Sequence, residues 1–162
     1  MIPSRTTEGK SLLTQVTDFF MGIPFFDGIN GEEIKVIAKH IASVDVKTGE
    51  ILFKESDKGN YICFIVSGRL QVSVKKETSE ENVVLAILKP GQSLGEMAII
   101  EDLPRFATIT AIEDCKLFVL SKSAFDLILE RHPYIGIKLL KGVATILSTY
   151  LRHTSIKLAN FL

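Results

Sequence analysis

Gly95, Glu96, Met97 and Ala98, followed closely by Arg105, Phe106 and Ala107, bring backbone amides, a carboxylate and a guanidinium into one short stretch. Gly95 lets the backbone approach a ligand closely, and the run Glu96-Met97-Ala98-Ile99-Ile100 has the composition of one helical turn. The first N–H groups of such a turn have no intrahelical partners and, with the helix dipole behind them, favour an anion. Arg105 adds a permanently charged planar fork suited to a phosphate, and the carboxylate of Glu96 accepts hydrogen bonds from a hydroxyl. Amides plus Arg for a phosphate, with an acid for a hydroxyl, describe a site for a sugar phosphate. Taken singly these residues are ordinary: an Arg after Pro is usually an exposed side chain, and a Glu suits any helix N-terminus.

Other chemistries find little support. His40, His132 and His153 are far apart, and no HxH, HExxH or CxxC spacing occurs, so no metal site is expected. Cys63 and Cys115 lie inside apolar runs and read as buried free thiols. Neither a nucleophile elbow nor a phosphate-binding P-loop is present, which points to a binding module and not an enzyme. Lys plus Arg and Asp plus Glu both total 19, so no global positive field recommends nucleic acid or an anionic membrane surface. No apolar run approaches the ~18 residues of a membrane span. Residues 1–9 are polar and lack the apolar core of a signal peptide, so a cytoplasmic location is expected.

The elements that must position the candidate site read as helix, then strands, then helix. Leu12, Leu13, Val16, Phe19 and Phe20 recur at helical spacing. Asn30 with Glu33 three residues on predicts a capping box, and Ile34, Ile37, Ala38 and Ile41 form the apolar stripe behind it. From Ser43 the runs "SVDV", "ILF", "YICFIVS", "RLQVSV", "VVLAIL", "ATITA" and "KLFVLS", punctuated by turn-forming and charged segments, predict an antiparallel barrel or roll. A short helix around Phe125, Leu127, Ile128 and Leu129 must stop or bend at Pro133, and a long helix is expected over residues 134–153. Its apolar residues form two stripes. Ile135, Leu139 and Ile146 are expected to pack on the barrel, and Leu140, Val143, Leu147 and Tyr150 to meet a second copy in a homodimer seam.

The stretch "GEMAIIEDLPRFAT" resembles the phosphate-binding cassette of cyclic-nucleotide-binding domains, the family of the bacterial catabolite activator and the kinase regulatory subunits. The Gly-Glu pair, the small residue two after the Glu and the Pro-Arg pair all match. "GIPFFDGI", "TGEILFKESDKGNYICFIVSGRLQV", "LKPGQSLGE" and "LILERHP" extend the likeness over roughly residues 19–151. The resemblance implies a mainly β fold: a double-stranded β-helix (jelly-roll) barrel with N-terminal helices, a short cassette helix and a long C-terminal helix. One domain is then expected over 1–162, with the barrel at about 43–121 and the C-terminal helices at about 122–154. No DNA-binding domain is expected within the short remainder of this sequence, whether it is a stand-alone sensor or a fragment of a longer protein.

By the same resemblance Glu96 would bind a ribose hydroxyl and Arg105 the cyclic phosphate. Gly95, Met97, Ala98 and the backbone N–H groups of Phe106 and Ala107 would complete the pocket, and Tyr150 lies about where the family caps the purine. The chain departs from the family pattern at Ser56, where a glycine is expected, at Leu94, where an aromatic is frequent, and at Phe106, where a small residue usually follows the Arg. Without a hydroxyl at 106, cAMP is favoured over cGMP as the expected ligand, with cGMP or another cyclic nucleotide as the alternative. The phenyl ring is expected either to turn into the barrel or to lie over the pocket. The expected function is a regulatory sensor acting on an effector protein through its C-terminal helices. The alternative is a degenerate fold that dimerises or docks a partner without nucleotide.

Overall fold

The computed structural model describes residues 11–162; the polar segment 1–9 lies outside the described residues. Helix α1 (Leu12–Phe20) starts at Ser11, whose side chain accepts from the Thr14 amide. A 3₁₀ turn (Pro24–Phe26) follows. Helix α2 (Gly31–Ala38) carries the expected capping box between Asn30 and Glu33. Eight strands then run β1 (Ile41–Val46), β2 (Ile51–Phe53), β3 (Tyr61–Ser67), β4 (Leu70–Lys75), β5 (Asn82–Leu88), β6 (Ser93–Leu94), β7 (Thr108–Ala111) and β8 (Cys115–Ser121), with helix α3 (Glu96–Glu101) between β6 and β7. Helices α4 (Lys122–Arg131) and α5 (Pro133–Ala159) close the chain.

The strands form two antiparallel four-stranded sheets, ordered β1-β8-β3-β6 and β2-β7-β4-β5. This is the expected jelly-roll. Strand β3 shows why its sequence is almost unbroken in apolar residues. Cys63 and Ile65 face the other sheet with Val44, Leu70, Val72, Ile109, Leu117 and Val119. Ile62 and Phe64 face the helices, where Phe20, Phe26, Phe118, Ile128 and Leu139 make a second core. A strand covered on both faces has no polar side to show. Aromatic rings hold the second core together: Phe20 stacks on Phe26 at 4.0 Å and meets Phe64 edge-on at 5.0 Å.

Helix α5 is 27 residues long, about 40 Å by its rise per residue, and ends six residues beyond the expected 153. Its orientation corrects the expected dimer seam. Val143 is buried with Ile135 and Leu139, Leu147 packs partly against the same core, and Tyr150 is turned toward the barrel. The first stripe and three of the four residues of the second therefore meet this chain's own body, while Leu140 stays outside. Gly136 and Gly142 decide the rotation: a side chain at Gly142 would collide with the Phe25 carbonyl, and one at Gly136 with Leu129. Lys138 adds an ion pair to Glu33 at 2.7 Å, tying α5 to α2. The face left outward carries Ile137, Leu140, Leu151 and Leu158, exposed by 55, 40, 69 and 59%.

Candidate functional site

Strand β6 brings the chain into the barrel beside β3, with Leu94 opposite Cys63 and Ser93 opposite Phe64. Gly95 then turns the chain at φ 88°, in the left-handed region, and caps α3. A Cβ there would stand 2.5 Å from Nη1 of Arg105 and 2.9 Å from the Tyr61 carbonyl, so glycine is needed for space as well as for conformation. Ala98, buried on α3, abuts Gly59, where any added side chain would overlap it. Met97 is more exposed, at 37%.

The chain returns through residues 102–107, held by the turn at Ser56 and Asp57. The Arg105 amide donates to the Asp57 carbonyl and the Ser56 amide to the Arg105 carbonyl, both at 2.7 Å. Both backbone groups of Arg105 are thus fixed by one turn. Ser56 itself sits at φ 73°, so the residue that stands where a glycine was expected adopts a glycine-like conformation.

The Arg105 side chain differs from the expected surface residue: it is 4% exposed. Nη1 donates to the Gly95 carbonyl at 3.1 Å and Nη2 to the Tyr61 carbonyl at 2.8 Å. Its guanidinium carbon lies 4.0 Å from the Phe53 ring centre and 4.6 Å from that of Tyr61. Nε is buried and has no partner. Glu96 is 3% exposed, with Oε2 equally unpartnered. Burial pushes the Glu96 carboxyl up, against the pull of its own backbone N–H and of Arg105. Burial also pulls Arg105 down from its usual range. A buried cation served by carbonyls and ring faces, with a donor to spare, is suited to receive an anion. A buried acid with a spare acceptor is suited to a hydroxyl.

Of the residues singled out in the sequence, Gly95, Glu96, Ala98, Arg105 and Ala107 come together here, four of them buried side chains or backbone in the barrel wall. Phe106 does not turn into the barrel. It is 55% exposed and belongs to neither core, because the turn that fixes Arg105 inward sends its neighbour outward. Tyr150 donates its hydroxyl to the Ser93 carbonyl at 2.8 Å, and burial raises its phenol well above the ordinary range. Phe53, Tyr61 and Ser93 escaped the sequence reading. Tyr61 shares the inward alternation of Cys63 and Ile65, but nothing in the sequence shows that its ring meets Arg105.

Residues 43–132, more than half of the chain, match the sequence profile of the cyclic nucleotide-binding domain. The chain belongs to that family. This cyclic nucleotide-binding domain is 26% identical over 137 residues to the CRP-like cAMP-activated global transcriptional regulator of Mycobacterium tuberculosis, covering 85% of the chain and 59% of that protein. It is 31% identical over 112 residues to patatin-like phospholipase domain-containing protein 7 of Rattus norvegicus, covering 69% of the chain but 8% of the relative. A crystal structure of a cyclic nucleotide-binding domain from Methylobacillus flagellatus superimposes with a TM-score of 0.83 at 23% identity, over 93% of this chain and 84% of that one, which establishes likeness of fold. The domain thus spans well under two thirds of both curated relatives. Among the described residues no cluster offers a metal site, and no helix is long and apolar enough to cross a membrane.

Proposed function

We propose that the domain is a cAMP sensor: a regulatory, non-catalytic module whose ligand occupancy is passed to an effector protein through α4 and α5. The observation that carries this is the pair of deeply buried, unpartnered polar atoms, Nε of Arg105 and Oε2 of Glu96, on the two arms of one cassette. The cyclic phosphate would take the Arg105 donor and the backbone N–H groups of Phe106 and Ala107, and the ribose hydroxyl would take Glu96. Gly95 leaves room for the Arg105 guanidinium that would meet the phosphate, Ala98 fits against Gly59 in the same cassette, and Tyr150, on the helix that leaves the barrel, would stand beside the ligand. The missing hydroxyl at Phe106 favours cAMP over cGMP. The relative from M. tuberculosis, described as cAMP-activated, supports the same nucleotide.

A cytoplasmic homodimer completes the reading. Ile137, Leu140, Ala144, Leu151 and Leu158 recur at heptad spacing on the outward face of α5, the pattern by which identical helices pair.

Calorimetric titration with cAMP, cGMP and AMP tests the ligand. Binding of cAMP by the wild type, weakened by about 1.5–3 kcal/mol in Arg105→Ala, is the expected result for loss of a charge-assisted contact. Equal affinities in the two proteins would overturn the assignment of Arg105. Absence of heat with every nucleotide would leave a dimerising or partner-docking scaffold.

A further inference from the structure

Resting on the assignment of Arg105 as the phosphate contact, we infer that Phe53 and Tyr61 are positioning residues that hold its guanidinium ready for the anion. The two rings lie 6.0 Å apart at 69°, forming a corner in which the guanidinium carbon sits 4.0 Å from one ring centre and 4.6 Å from the other. The corner is itself anchored. The Tyr61 hydroxyl donates to the Leu52 carbonyl on β2 at 3.3 Å, and Phe53 belongs to that same strand. Tyr61 acts twice, because its backbone carbonyl also receives Nη2 at 2.8 Å.

An arginine side chain has many rotamers, and ordering it on binding opposes affinity. Here the order exists beforehand. Both Nη groups point at backbone carbonyls, the ring faces offset the charge where no carboxylate among the described residues is hydrogen-bonded to it, and the buried Nε–H is a donor left without a partner. The plane and the free edge of the fork are therefore set by β2 and β3 before any ligand arrives.

Two measurements test this on the whole chain, using Phe53→Leu, Tyr61→Leu and the conservative Tyr61→Phe. The first is the NMR signal of the Arg105 Nε–H without ligand. It is expected shifted upfield by the ring currents in the wild type and in Tyr61→Phe, and moved toward the free-arginine position in Phe53→Leu. The second is affinity for cAMP, expected to fall about tenfold in both leucine variants and to recover in Tyr61→Phe, with thermal unfolding confirming that each variant is folded. An unshifted Nε–H in the wild type overturns the inference whatever the ligand result. So does unchanged affinity in both leucine variants when the wild type binds cAMP. A wild type that shows the shift, loses it in Phe53→Leu and binds no cyclic nucleotide supports the positioning while refuting the proposed ligand.

Discussion

The hydroxyl of Tyr150 on α5 donates a 2.8 Å hydrogen bond to the backbone carbonyl of Ser93 on β6, two residues before the glycine that opens the cassette. It is a direct tie between the long C-terminal helix and the site. Tyr150→Phe keeps the ring and removes the donor. Stability is expected to fall by about 0.5–1.5 kcal/mol, the ordinary value of a neutral hydrogen bond. Hydrogen exchange should be faster over residues 146–150 and unchanged in β3 and β8. Unaltered exchange in α5 would show that the tie does not hold the helix.

Ser56 carries a left-handed backbone and, through the Arg105 carbonyl, part of the cassette. A glycine there relieves the conformational cost, so Ser56→Gly is expected to raise stability by roughly 0.5–1 kcal/mol in urea unfolding. Because the same turn is kept, cAMP affinity should stay within twofold of wild type. A lower stability would mean that the serine side chain stabilises the turn by more than its backbone costs.

Glu96 links the site to pH. Burial raises its pKa in the folded protein, so the folded state holds the proton more tightly than the unfolded chain. Its protonated form contributes stability fully below the unfolded value, near pH 4, and that contribution is lost as pH rises through the folded value. Glu96→Gln removes the penalty of a buried charge. The variant is expected to gain stability over the wild type at pH 7, by about 1.4 kcal/mol for each unit of the rise, and to lose that advantage near pH 4. Its cAMP affinity should fall by roughly 1.5–3 kcal/mol. Urea titrations at the two pH values check the first effect and calorimetry the second.

Phe106 is more than half exposed, so replacing it should not cost the fold. Phe106→Ser is expected to leave stability within about 0.5 kcal/mol of wild type. The added hydroxyl should tighten cAMP several-fold, in line with about 0.5–1.5 kcal/mol per neutral hydrogen bond. Weaker binding by the serine variant would show that the ring itself touches the ligand.

The outward face of α5 predicts a dimer. Leu151 is 69% exposed, so Leu151→Glu should leave the folded monomer intact while placing carboxylates in an apolar seam. Light scattering at tens of micromolar, a range set by ordinary interface affinities, should report a dimer for the wild type and a folded monomer for the variant. A monomeric wild type would overturn the seam.

Local chemistry determined much of the molecule. Asn30 and Glu33 cap α2 as their spacing requires, Pro133 begins a new helix, and the strand runs from Ser43 onward pair as a jelly-roll. The cassette residues were legible too, because Gly95, Glu96 and Arg105 keep a short fixed spacing along the chain. Tertiary structure alone decided the rest. Arg105 is buried because a turn nearly fifty residues earlier grips its backbone, and β2 and β3 supply rings for its side chain. That same turn exposes Phe106. On α5, periodicity identified two apolar stripes but could not assign them, since the rotation of a helix follows from where its neighbours permit close approach. Here Gly136 and Gly142 permit it, so Val143 and Tyr150 face inward and Ile137, Leu140 and Leu151 are left outside.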